Sequence, residues 1–146
     1  MNIAQYTKAA SLEEAWELNQ KRSAVVLGGC CWLRLSPQRR IAQAIDLSAL
    51  GLDQIEEGED SFRLGAMGTL GQLEGHDGLA AFNQGAMKEA VRHLGGTQFR
   101  NMATVGGSIS GRFGFSDIWT LFLALDAQVE LYKGGIVSLA DFGQTG

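Results

Sequence analysis

The chain is poor in the residues that build disulfide frameworks and metal centres. Its only cysteines are the adjacent pair Cys30 and Cys31, and it has two histidines and one proline. Neighbouring Cα atoms lie about 3.8 Å apart, below the roughly 4.4–6.8 Å that an unstrained disulfide spans. The sequence also lacks a C-x-x-C pair, so neither an iron–sulfur framework nor a zinc knuckle is expected. No metal site is predicted.

Long apolar runs and concentrated positive charge are also missing. The longest apolar run lies within "IWTLFLAL", far short of the roughly 20 residues of a membrane-spanning helix. The N-terminus shows no basic-then-apolar signal pattern. The net charge is −4, and the only basic cluster is Arg34, Arg39 and Arg40, a weak footprint for a nucleic-acid binder. We expect a cytoplasmic protein that binds neither membrane nor nucleic acid.

Familiar catalytic motifs are absent too. There is no G-x-S-x-G, and His76 and His93 fall in a polar loop and a helix with no serine placed beside them, so both are interpreted as surface or structural residues. The phosphate-binding motifs G-x-x-x-x-G-K-[ST] and G-x-G-x-x-G are missing as well. No catalytic residue is predicted in this chain.

Glycine, by contrast, is abundant, with 20 in 146 residues, about twice the average usage of roughly 7%. Two glycine pairs follow strand-like apolar segments, in "VVLGGCC" and in "ATVGGSISGRFGFSD". Backbone N–H groups in such loops can converge on a pyrophosphate, because no Cβ stands in the way. Glycine spacing alone nevertheless favours ordinary tight turns.

Apolar periodicity and turn signals predict an α+β fold without linkers or repeats. Ser11 and Glu14 form a capping box that begins the first helix. Asp117 is interpreted as the N-cap of the last helix, or alternatively as an acceptor for a ribose hydroxyl. The predicted helices cover residues 11–22, 69–74, 82–94 (ending at Gly95) and 117–127. The predicted strands cover residues 23–27, 43–47, 53–57, 62–64, 128–132 and 136–139, and residues 98–111 are expected to be extended.

The stretch "FRNMATVGGSISGRFGFSDIWTLFLALDAQVEL" resembles the FAD-binding medium subunit of molybdenum hydroxylases, the xanthine dehydrogenase and carbon monoxide dehydrogenase group. Arg100, Asn101, Thr104 and Asp117 fall in register with that family's pattern, together with the glycine pair after Val105. The segments "VVLGG", "FRLGAMGTLGQLE" and "VSLADF" resemble other parts of the family in the same order. The resemblance therefore covers nearly the whole chain.

The resemblance implies a two-lobed FAD domain, with a small N-terminal βαβ-like lobe over about residues 1–50 and a mixed-sheet lobe over about residues 51–146. FAD would extend between the lobes, with its pyrophosphate on the two glycine loops. A side chain at Gly106 is expected to block that approach. The implied FAD-binding residues are Leu27, Gly28, Gly29, Cys30, Cys31, Leu94, Thr104, Val105, Gly106, Gly107, Ser108 and Asp117.

The function implied is that of an electron-transfer subunit. It would pass electrons from the iron–sulfur clusters of one partner subunit to an acceptor such as NAD or oxygen, while a molybdopterin subunit hydroxylates the substrate. The family usually has Thr at the position of Cys30, Asp or Asn at that of Cys31, and Asn at that of Ser108. The family's C-terminal domain is also missing from this sequence. These departures motivate two alternatives: a scaffold that no longer binds FAD, and a thiol redox protein.

Overall fold

The computed structural model describes residues 1–35 and 40–144, and Arg39 of the basic cluster lies outside them. The α+β class is confirmed. No helix within these residues is long and apolar enough to cross a membrane. The strands are β1 (Asn2–Lys8), β2 (Ala24–Leu27), β3 (Arg40–Asp46), β4 (Ile55–Glu57), β5 (Phe62–Leu64), β6 (Gln128–Leu131) and β7 (Gly135–Ser138). The helices are α1 (Leu12–Asn19), α2 (Leu70–Gly75), α3 (Asp77–Ala81), α4 (Ala86–Arg92), α5 (Thr97–Arg100), α6 (Val105–Ser110), α7 (Asp117–Ala124) and α8 (Leu139–Gln144).

The N-terminal sheet has three parallel strands in the order β1-β3-β2. The helix α1 connects β1 to β2 and packs Ala15 against Ala9 and Ile45 in a small core. β2 ends where Leu27 pairs with Asp46 of β3, so the first glycine loop leaves from the carboxyl edge of the sheet. β1 was not predicted, because its side chains are nearly all exposed and apolar alternation is therefore weak.

A second, larger core is built by the helices that follow. Its buried residues include Leu73, Val91 and Ile109, and the hairpins β4–β5 and β6–β7 pack around it. Two backbone hydrogen bonds join the start of α2 to the start of α6: Leu70 N donates to Ala103 O at 2.9 Å, and Val105 N donates to Gly68 O at 2.8 Å. This junction fixes the second glycine pair in space. The assignment of two lobes remains a prediction.

The single helix predicted over residues 82–94 is wrong. Asn83, Gln84 and Gly85 have φ values of 48°, 58° and 83°, a left-handed turn that separates α3 from α4. Asn and Gly tolerate this conformation better than most residues, and the apolar spacing around them gave no sign of the break. α4 ends at Arg92 with its C-cap at His93, so Gly95, although left-handed with φ of 60°, lies two residues beyond the cap and is not the residue directly after the helix that was predicted.

The extended segment predicted over residues 98–111 is also wrong, since it contains α5 and α6. α6 begins because Thr104 is its N-cap, with Oγ1 accepting from Gly107 N at 3.1 Å, and because Val105 and Ile109 bury one face. A cap and a buried face outweigh the low helix propensity of two glycines. Asp117 is the first residue of α7, whereas the N-cap is Ser116, whose Oγ accepts from Trp119 N.

Candidate functional site

The two glycine loops touch each other. A Cβ on Gly29 would lie 1.7 Å from Met102 O, and a Cβ on Gly28 would lie 2.8 Å from Thr104 Oγ1. Real Cβ atoms essentially never make contacts below 3.0 Å, so Gly29, which meets backbone, requires glycine, whereas a side chain at Gly28 would have to displace the Thr104 hydroxyl. The sequence suggested that these glycines admit a phosphate; in the structure they allow the first loop to pack on the segment that leads into α6.

A cleft of 620 Å³ opens beside this contact, within the range of about 300–1,000 Å³ that is usual for ligand pockets. It lies between the end of β2 and the outer side of α6. Its described lining brings together the predicted residues Gly28, Gly29, Cys30, Cys31, Thr104, Gly107 and Ser108. The rest of the lining is mostly apolar: Val25, Val26, Trp32, Leu33, Leu35, Phe99, Ala103 and Phe113, with Ser110 and Gly111.

The first loop offers unused hydrogen-bond donors. Within residues 1–35 and 40–144, the backbone N–H groups of Gly28, Gly29, Cys30 and Cys31 donate to no protein acceptor. Cys30 has a left-handed backbone, with φ of 58°. Successive N–H groups around a left-handed residue are typical of concave anion-binding turns. The loop therefore suits the pyrophosphate of a dinucleotide without any positive side chain.

The start of α6 has a different role, because its donors are already used. Gly106 N donates to Ala66 O at 2.8 Å, and Ser108 N donates to Thr104 O at 2.9 Å. The hydroxyl of Ser108 donates to the same carbonyl at 2.9 Å. A Cβ on Gly107 would lie 2.9 Å from Thr104 Oγ1, with no other contact within 4 Å, so even a methyl group there would have to displace the capping hydroxyl. α6 supplies a wall with room for a ligand rather than a set of free donors.

The remaining predicted residues do not line the cleft, and their contact with FAD stays a prediction. Leu27 is the last residue of β2. Val105 is buried in the second core, and Leu94 packs against that core. Asp117 is exposed at the start of α7. Gly106 faces Ala66, whose O and Cβ would lie 2.7 and 2.9 Å from an added Cβ. A valine at Gly106 would thus disturb packing whether or not a phosphate lies nearby.

The two thiols are half-buried and turned toward their own loop. Cys30 Sγ donates to Gly28 O at 3.3 Å, and Cys31 Sγ donates to Gly29 O at 3.7 Å. Burial raises the pKa of the Cys30 thiol, which keeps it neutral and a poor nucleophile. This environment opposes a thiol redox centre. The described residues contain no group of three or more side chains that could hold a metal ion.

Sequence reasoning missed the aromatic side chains at the edge of the cleft. Trp32 and Phe113 have ring centroids 5.3 Å apart, and Phe115 lies 5.4 Å from Phe113 and 5.8 Å from Trp32. The signal was present in "CCWL" and "GRFGF", because each segment adjoins a glycine loop. We call these three residues the aromatic cluster.

Comparison with known proteins agrees with this geometry. Residues 2–144 match the family described as the FAD binding domain in molybdopterin dehydrogenase. The chain is 32% identical to the uncharacterised Escherichia coli protein YgfM, over 96% of this chain and 54% of that protein. It is also 32% identical to the nicotine 6-hydroxylase medium subunit of Paenarthrobacter nicotinovorans, over 86% of this chain and 46% of that protein.

Among solved structures, a copper- and molybdenum-containing CO dehydrogenase in its cyanide-inactivated form superposes with a TM-score of 0.85 at 26% identity. The superposition covers 96% of this chain and 52% of that chain. The chain thus spans about half the length of the relatives that it matches. It belongs to the family of FAD-binding domains of molybdopterin dehydrogenases, and its cofactor is FAD.

Proposed function

We propose that the chain is the FAD-binding part of an electron-transfer subunit in a molybdenum-hydroxylase-type oxidoreductase. The observation that supports this most directly is the cleft, which residues 28–31, whose N–H groups have no protein acceptor, line together with residues of α6. The family match over residues 2–144 supports the same proposal.

The residues of the cleft would hold the cofactor through its phosphates. The N–H groups of Gly28, Gly29, Cys30 and Cys31 would donate to pyrophosphate oxygens. Gly107 would leave room for the phosphates on the opposite side. Thr104 would act indirectly. Its hydroxyl caps α6 by accepting from Gly107 N, and it also limits how closely the first loop, at Gly28, can approach α6. FAD at this position would supply reversible electron transfer.

The implied partners are an iron–sulfur subunit, which would deliver electrons, and a molybdopterin subunit, which would carry out substrate hydroxylation. The related nicotine 6-hydroxylase protein is by name a medium subunit, which supports membership of a larger complex. The acceptor would be a soluble oxidant such as NAD or oxygen.

The cofactor proposal is tested by incubating the purified chain with FAD, desalting it, and recording the flavin absorbance. We expect about one retained FAD per chain and a colourless product from the same procedure with FMN, since FMN lacks the pyrophosphate. A folded protein that retains no FAD would overturn the proposal and would support a scaffold function instead.

The electron-transfer proposal needs a second measurement. The FAD-loaded protein would be reduced anaerobically with dithionite, freed of reductant, and mixed with either NAD⁺ or oxygenated buffer. Return of the oxidised flavin spectrum identifies the acceptor. If neither oxidant restores the spectrum any faster than it restores free reduced FAD, the proposed transfer to a soluble acceptor is wrong.

A further inference from the structure

Trp32 is placed so that a ligand on the first loop would meet its ring. It comes directly after Cys31, one of the residues whose N–H groups are free of protein acceptors. Its side chain lines the cleft, and yet Trp32 remains 51% exposed. A large apolar ring left half in water beside a polar loop is an unfavourable arrangement unless another surface covers it.

Phe113 extends the same surface from the other side of the cleft. Its ring packs over Gly111, where an added Cβ would lie 2.5 Å from Cε2 of Phe113. The position of Phe113 is therefore fixed by α6 and its C-terminal residue, while Trp32 is held by the first loop. The planes of the two rings are tilted by 45° relative to each other, so the rings do not fill the cleft by stacking face to face. Together they form a second apolar wall of the cleft, distinct from α6.

We infer that Trp32 and Phe113 form the stacking surface for the adenine ring of FAD; this rests on the flavoprotein function proposed above. Aromatic side chains bind nucleobases by stacking on their faces, which contributes about 1–3 kcal/mol per base. The wall begins one residue beyond the loop that would hold the pyrophosphate. The adenosine half of the dinucleotide is attached directly to that pyrophosphate, so the adenine can reach it.

The chemistry of the wall favours adenine over the flavin ring. The described lining residues next to Trp32 and Phe113 include Leu33, Leu35 and Phe99, and the described lining contains no charged or amide side chain. An isoalloxazine ring needs polar groups near its N1 and N5 edges to tune its electronics. An adenine needs little more than a face to stack on, with its polar edge directed to solvent.

The test compares the two halves of FAD as separate ligands, in calorimetric titrations of the full chain with FAD, ADP and FMN. Trp32→Ala is expected to weaken binding of FAD and ADP about 5- to 150-fold, and to leave any FMN binding unchanged. Trp32→Phe retains a stacking ring and should recover most of the affinity. Trp16→Phe is the matched control, because Trp16 lies on α1 and does not line the cleft. Circular dichroism confirms that each variant is folded.

The outcomes separate this inference from the function on which it rests. Wild-type protein that binds no FAD overturns the flavoprotein function and the inference together. Wild-type affinity for FAD and ADP in a folded Trp32→Ala variant overturns only the stacking surface. A variant that loses FAD and FMN but keeps ADP overturns the assignment to adenine, since the ring on the wall would then be the flavin.

Discussion

The carboxylate of Glu13 lies 2.6 Å from the ammonium of Lys133, across 120 positions of sequence. Glu13 belongs to α1, on the N-terminal sheet, and Lys133 belongs to the turn between β6 and β7. The hydroxyl of Tyr132 donates to the same carboxylate at 2.9 Å, and the ammonium lies 4.0 Å from the ring centroid of Trp16. These contacts lower the pKa of Glu13 and raise the pKa of Lys133.

The first prediction follows from the sign of the Glu13 shift. Because its pKa is lower in the folded chain, Glu13 stabilises the fold above its ordinary value of 4.5, and this contribution is lost as the pH falls through the lowered pKa. We expect Glu13→Gln to lower the thermal midpoint slightly at pH 7, and the difference from the wild type to shrink as the pH falls below 4.5. The groups are exposed, so added salt should reduce the difference. Glu59→Gln is the control, and an equal loss there would contradict the pairing.

The second prediction concerns the contact between the loops. Gly29→Ala would place a methyl group 1.7 Å from Met102 O, and backbone cannot move away as a flexible side chain can. We expect the free energy of unfolding to fall by about 2 kcal/mol or more, measured in urea. Gly75→Ala is the control, since a Cβ there meets nothing within 4 Å. A Gly29→Ala protein as stable as wild type would show that the loops are not in contact.

The third prediction concerns the α6 side of the cleft. Gly107→Ala adds a methyl group 2.9 Å from Thr104 Oγ1, so the capping hydroxyl must shift; losing an N-cap costs about 0.5–2 kcal/mol, and alanine, which favours helix over glycine by up to about 1 kcal/mol, offsets part of that cost. We therefore expect the free energy of unfolding to fall by no more than about 2 kcal/mol and FAD affinity to fall about ten-fold, because the methyl group occupies space beside the first loop. Gly75→Ala, also in a helix, should leave FAD binding unaltered. Unchanged affinity in Gly107→Ala would place the phosphates elsewhere.

The fourth prediction concerns the thiols. Burial raises the pKa of the Cys30 thiol above its ordinary value of 9.0. The reaction of Cys30 with iodoacetamide should therefore be slower at pH 8 than that of free cysteine, because less thiolate is present. The rate should keep rising with pH beyond 9.0. Bound FAD should slow the labelling further, because Cys30 lines the cleft. Rapid labelling at pH 7 that FAD does not affect would contradict both the burial and the site.

Local signals in the sequence predicted the elements that depend on near neighbours. Ser11 caps α1 as expected, with Ser11 Oγ accepting from Glu14 N, but the carboxylate of Glu14 accepts from Ala10 N rather than from Ser11 N, so only half of the predicted capping box forms. The β4–β5 and β6–β7 hairpins form between their predicted strands. β1 was missed because it pairs with β3, which lies far along the chain, and because its own side chains are mostly exposed.

The candidate site was predictable in part for the same reason. The glycine loops are visible in the sequence, but the reason for Gly29 is not, since it depends on Met102 in another part of the chain. Thr104 could have been recognised as an N-cap only if the helix after it had been predicted. Because two glycines follow Thr104 and Val105, the segment was predicted to be extended instead. Trp32 and Phe113 lie in segments that are far apart in the sequence and meet only in the folded chain, so no local pattern brings them together.

The close packing of Gly29 on Met102 has a consequence for assembly of the molecule. One side of the cleft belongs to the N-terminal sheet and its loop and the other to the helical core, so neither part alone would form the FAD site proposed above. A cofactor held by both walls binds only the docked arrangement and stabilises it by mass action. FAD would then be retained only by chains in which both cores have folded. A chain with one misfolded core would lack the flavin colour and would be more open to proteolysis.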